Sequence, residues 1–314
     1  MQNLIFSLNA TIPVFLMMIL GYFFHKIGWI DDVFASKMNK FVFVVPLPVL
    51  LFHDLAAVNF YEVWDTKFVC FCFGTTVISI SAAAIISCVW KDQSIRGEFV
   101  QASYRSSAAI LGIAFIQNIY GTSGMAPLMI IGSVPLYNVM AVVVLSLLKP
   151  GRNGIDRAVM RKTLIGIAKN PIILGIAAGL LWSALRIPLP AILSKTASSV
   201  GSMTTPMGLM AMGASFDFGK ALEKKWPTIT AAFIKLVGFC AIFLPIAVHM
   251  GFQNEKLVAI LVMLGSATTV TSYVMAKNMG HEGVLSSGTV MLTTLCSAFT
   301  LTFWLWLLRS LGLV

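Results

Sequence analysis

Residues 125–170 read MAPLMIIGSVPLYNVMAVVVLSLLKPGRNGIDRAVMRKTLIGIAKN. From Met125 to Leu148 there is no Asp, Glu, Lys or Arg. A membrane-crossing helix needs roughly 20 mostly apolar residues, because it rises about 1.5 Å per residue through about 30 Å of hydrocarbon. The stretch is therefore one span. It runs into the longest polar segment of the chain, which carries Lys149, Arg152, Arg157, Arg161, Lys162 and Lys169, and a new apolar run opens at Pro171. Positively charged loops stay on the cytoplasmic side, so residues 149–170 read as a cytoplasmic linker dividing the chain.

Along the whole chain ten such runs are legible, at about 5–24, 39–57, 68–90, 100–120, 125–148, 171–185, 200–216, 227–250, 257–276 and 287–308. The composition agrees: 58% of the 314 residues are hydrophobic and 11% charged, against about 25% charged in soluble chains. This excludes a soluble enzyme. The net charge of +10 does not indicate nucleic acid, which requires solvated basic stripes; here the cations sit between apolar runs. Cys70, Cys72, Cys88, Cys240 and Cys296 all fall in those runs without metal-ligand spacing and read as core residues. The first run has no basic residue ahead of it and no obvious cleavage site, so it reads as a retained helix.

Loops after the odd-numbered spans hold fifteen Lys and Arg, those on the other side five, which places both termini outside the cytoplasmic membrane. Pro13, Gly21 and Pro48 are matched by Pro171, Gly179 and Pro206 at one offset of 158 residues. Five spans in each half is an odd number, so the second half enters from the opposite side. The expected architecture is an all-α integral membrane protein of two inverted five-helix repeats, 1–148 and 171–314, a plan common among secondary transporters.

Such carriers bind substrate where helices are interrupted. Span two has Pro46-Leu47-Pro48 and span seven Thr204-Thr205-Pro206; proline removes a backbone donor and disfavours helix before it, so Pro46, Pro48 and Pro206, with Gly112 in span four, are hinge candidates. Spans four and nine carry hydroxyl clusters, Ser106 and Ser107 in one, Thr268, Thr269 and Thr271 in the other. Arg105 either snorkels to the interface near Glu98 and Gln101 or contacts an anionic substrate, since a guanidinium beside hydroxyls suits a carboxylate. Asn138 is a midspan amide that needs a partner. Lys235 suits a structural or gating role better than ligation. Asp54, beside His53, either carries a proton or caps its helix in water. No midspan carboxylate marks a sodium site in spans four or nine, although backbone carbonyls alone can form one. No catalytic motif, metal cluster or cofactor signature is visible, and the four histidines are dispersed. A cation antiporter of the same plan and a non-transporting sensor remain as alternatives.

Tyr104-Arg105-Ser106-Ser107, Ile110-Leu111-Gly112-Ile113-Ala114, Pro135-Leu136-Tyr137-Asn138-Val139, Asn170-Pro171 and Thr271-Ser272-Tyr273-Val274-Met275-Ala276 occur in that order. With them the chain resembles a bacterial member of the auxin efflux carrier (AEC) family over essentially its whole length. The resemblance implies a homodimeric ten-helix carrier in the lipid bilayer, in which helices one, two, six and seven form a scaffold. Helices four and nine would be broken and cross in a moving domain, with a small organic anion such as auxin, malate or malonate beside the crossing. Tyr137 and Ser272 join the candidate site on the same ground. Two positions depart from the family pattern: Ser107 stands where relatives commonly have Asn, and Ala267 where they have Pro near the break of helix nine.

Overall fold

The computed structural model describes residues 2–56, 65–108, 113–121, 125–150 and 164–314. Gly112 and the Arg152 to Lys162 stretch lie outside them, and the side chains of residues 2–11, 14, 15, 113, 114 and 118 are not part of the description. In chain order the helices are α1 Gln2–Lys26, α2 Asp32–Val44, α3 Pro46–Ala56, α4 Thr66–Ser87, α5 Arg96–Tyr104, α6 Ile113–Tyr120, α7 Ala126–Leu147 and α8 Pro171–Ala184. They continue with α9 Ala191–Ser202, α10 Thr204–Ala214, α11 Phe218–Glu223, α12 Lys225–Phe233, α13 Phe239–His249, α14 Asn254–Gly265, α15 Thr271–Asn278 and α16 Val284–Ser310. A π turn, Ile234–Gly238, joins α12 to α13. Among the described residues there is no strand, and five stretches are long and apolar enough to cross a membrane: Asp32–Ala56, Thr66–Ser87, Ala126–Leu147, Lys225–His249 and Val284–Ser310.

Polarity is distributed as a bilayer requires. Ile78, Ile85, Leu181, Ile192 and Trp306 face outward, while Gln101, Arg105, Asn138, Lys235 and Thr293 are buried. Lipid solvates apolar side chains at no cost, so polar groups gather inside, where each can find a partner. Cys72 and Cys240 are buried as expected, but Cys70 and Cys88 are exposed; on a lipid-facing surface a small thiol needs no core.

Two helices are longer than their apolar runs. The helix expected from residue 39 begins at Asp32, where the Asp31 carboxylate accepts from Phe34 N at 2.6 Å, and the polar Ser36, Lys37 and Lys40 hid that first part. The helix expected from residue 200 begins at Ala191, hidden by Ser194, Lys195, Ser198 and Ser199. Both are interrupted, at Val45 and at Met203. In each case a proline, Pro48 or Pro206, follows three residues later without the N–H that would bond back across the interruption. Val45 and Met203 are 158 residues apart, the offset of the repeat.

Helix contacts repeat at the same offset. A Cβ on Gly21 in α1 would lie 2.2 Å from the Met210 carbonyl oxygen of α10, and one on Gly179 in α8 would lie 2.8 Å from the Phe52 carbonyl oxygen of α3. Only a missing side chain lets those backbones touch. Gly179 and Met210 stand 158 residues after Gly21 and Phe52, so α1 meets α10 as α8 meets α3.

Candidate functional site

Helix α5 ends where Arg105 N donates to Gln101 O at 3.1 Å; Arg105 itself is extended, with φ −69° and ψ 134°. Helix α14 ends in the same manner at Ser266, φ −72° and ψ 161°, and α15 resumes at Thr271. The two interruptions lie against each other, because Ser107 N donates to Ala267 O at 3.0 Å. Backbone groups freed at a break must be satisfied internally in a membrane, and side chains from the opposite break supply most of the partners. Thr268 Oγ1 donates to Ala102 O at 2.8 Å, Gln101 Nε2 to Ser272 O at 2.8 Å, and Ser106 Oγ to Met263 O. Tyr137 OH also reaches Met263 O, at 3.3 Å. No proline is needed at position 267, since the break is held by this exchange of bonds.

Arg105 is 2% exposed and does not reach the surface. Glu98, which could have drawn it there, instead accepts from Gly283 N at 2.8 Å and Ser286 N at 2.9 Å and caps α16. The guanidinium donates through Nη2 to Asn138 Oδ1 at 2.7 Å and Thr271 Oγ1 at 2.8 Å, and through Nη1 to Met275 Sδ at 2.8 Å. Among the described residues its Nε–H has no partner. Among the described residues Arg105 forms no ion pair within 4.0 Å. Asn138, which needed a partner, has two, since its Nδ2 also donates to Val134 O at 2.9 Å.

A cleft of about 530 Å³, including its open part, borders this group. Arg105, Ser106, Ser107, Tyr137, Asn138, Thr269 and Thr271 line it from the side of the breaks. Leu47, Leu50, Leu51 and Asp54 of α3 and Thr205 of α10 line it from the other. Thr269 and Thr271 share a hydrogen bond of 3.2 Å between their hydroxyls. Thr268 and Ser272 do not line the cleft: both are buried behind it, and Thr268 N donates to Thr293 Oγ1 at 3.0 Å. Lys235 also lies away from the cleft, donating to the carbonyls of Met263, at 3.4 Å, and Leu264. His53 bonds Ser194 Oγ at 3.2 Å and stands 4.0 Å from the Asp54 carboxylate. Pro46, Pro48 and Pro206 sit in the first turns of α3 and α10, whose starts flank the cleft. Thr205 was not singled out from the sequence, although Leu47, 158 residues earlier, gives its equivalent, and both line the cleft.

The family model described as membrane transport protein, the transport domain of the auxin efflux carriers, matches residues 6–305. The chain belongs to this family. No curated protein matches it. As an auxin efflux carrier family member it is a multi-pass membrane transport protein. In this carrier the interrupted helices α5 and α14–α15 frame a cleft lined by a guanidinium, an amide and several hydroxyls.

Proposed function

We propose that this carrier moves a small organic anion, a carboxylate such as malate, malonate or an indole acid, across the cytoplasmic membrane by elevator-type alternating access. The observation that carries the reading is Arg105: a buried guanidinium, lining a cleft, whose partners among the described residues are an amide, a hydroxyl and a thioether and not a carboxylate. A charge buried this deep costs several kcal/mol unless it is paired or faces water, and an incoming carboxylate completes the pairing. The N-terminus of α15 adds partial positive charge on the same side. The repeated contact of α1 with α10 and of α8 with α3 supports two inverted five-helix repeats of ten spans. In that architecture these four helices form the fixed body, past which the two breaks move as a unit. Both termini face outside, and two copies form the working homodimer.

Asp54 favours proton coupling. Its carboxylate lines the same cleft, so taking up a proton there relieves repulsion of the bound anion. The reading is tested by thermal unfolding of the purified protein against a panel of monocarboxylates, dicarboxylates, inorganic anions and amines. Stabilisation by one class of carboxylate, absent in Arg105→Ala, supports it; stabilisation by amines alone points to a cation carrier.

A further inference from the structure

A helix that stops inside a membrane leaves its last carbonyls unbonded and its negative dipole end exposed. Helix α14 stops this way at Gly265. Of its freed carbonyls, Val262 O still accepts from Ser266 N at 3.1 Å, while Met263 O and Leu264 O receive the ammonium of Lys235. In carriers with interrupted helices such carbonyl ends are where a coupling sodium ion is held. Here Nζ occupies that place. Lys235 is 0% exposed, and among the described residues it has no carboxylate within 4.0 Å.

The surrounding structure is arranged around this contact. Lys235 lies within the π turn Ile234–Gly238, a backbone form rare enough that single turns of it often mark functional sites. The turn is held from outside, because its Leu236 carbonyl accepts from Trp304 Nε1 at 3.1 Å. Gly265 lets α13 close on the end of α14: a Cβ there would lie 2.7 Å from Cys240 Sγ. The ammonium also shares Met263 O with Ser106 and Tyr137, both of which line the cleft, so the charge at the carbonyl end is linked to the anion side through one carbonyl.

We propose that Lys235 is a built-in counterpart of a coupling cation: its ammonium supplies at the carbonyl end of α14 the positive charge that sodium supplies in sodium-driven carriers. It follows that this protein has no sodium requirement, and that removing the ammonium opens a site for a small cation. Lys235 is thus a positioning residue that keeps the break in the form that binds the anion. This deepens the anion-carrier reading and rests on it for the transport consequence, whereas the cation site itself can be read without any flux.

The test uses purified full-length wild type, Lys235→Ala and Lys235→Met, unfolded thermally in chloride salts of sodium, ammonium, n-propylammonium or choline at equal ionic strength. Wild type should unfold at one temperature in all four. Lys235→Ala should have a lower Tm in choline and recover at least half of the loss in a small cation, while Lys235→Met, which fills the space without charge, should stay low and unresponsive. Sodium-specific stabilisation of wild type overturns the proposal, as does a Lys235→Ala protein that is unaffected or that loses stability without cation rescue. Anion uptake by the same proteins in liposomes is the second readout: rescue should restore flux lost in Lys235→Ala. Cation rescue of stability with no flux in any protein, wild type included, would sink the carrier reading and leave the cation site standing.

Discussion

Arg105 and Asn138 meet at the wall of the cleft, and in the proposed carrier they set how it treats charge. Replacing Asn138 by aspartate puts a carboxylate where the guanidinium now donates to an amide oxygen at 2.7 Å. The resulting internal ion pair competes with substrate. A hydrogen bond to a charged partner is worth about 1–2 kcal/mol more than a neutral one, and 1.4 kcal/mol is tenfold in affinity, so Asn138→Asp should raise the KM for a carboxylate about tenfold. An unchanged KM would place the substrate elsewhere. The sequence marked Arg105, because an arginine inside an apolar run is costly wherever it sits. It left open whether that arginine snorkels, since depth depends on where α5 stops. Asn138 declared a need for a partner, but the one that its oxygen finds, Arg105, lies 33 residues away just past the end of α5, and no local pattern encodes it.

At the scale of helices, breaks specified by proline were legible and breaks specified by tertiary contact were not. Pro48 and Pro206 mark their interruptions directly. Ala267 carries no such mark, and the break beside it rests on the bond from Ser107 N and on side chains from α5, α7 and the π turn. Lys235 could be recognised as buried, but its target carbonyl belongs to a residue 29 positions away. The glycine pairs make a sharper prediction. Gly21→Ala and Gly179→Ala each force a Cβ onto a backbone oxygen and should each destabilise by about 1–3 kcal/mol, the usual cost of overpacking. Gly74→Ala, which meets open space, should stay within about 0.5 kcal/mol of wild type. A Tm drop for only one of the pair would argue against equivalent contacts in the two halves.

Asp65 ties the start of α4 to the start of α14. Its carboxylate takes the Lys256 ammonium at 2.6 Å and Phe68 N at 3.0 Å, and these bonds hold it below the usual carboxylate range. A depressed folded value means stability that is full above the unfolded value of ~3.9 and is lost as the pH falls through the lower folded one. Asn keeps the cap while removing the charge, so Asp65→Asn should cost about 0.2–1 kcal/mol at neutral pH, the range for a partly exposed pair. That difference in Tm should close as the solution is acidified past the carboxylate range. A gap that stays constant with pH would show that the charge contributes nothing.

For the whole molecule, composition and the apolar runs were enough to read a multi-pass membrane protein, and the order of short motifs enough to read its family. The cleft was out of reach, because it forms only where α3 and α10 face two interruptions far apart in the chain. A polar inside and an apolar outside suit a membrane transport protein, and the proposal rests its anion selectivity on Arg105. The most direct test is uptake of labelled malonate, malate and an indole carboxylate into liposomes containing wild type or folded Arg105→Ala, with empty liposomes as control. Wild type should take up at least one of these saturably, and the variant should lose that uptake. Saturable uptake that survives Arg105→Ala with unchanged KM would contradict it.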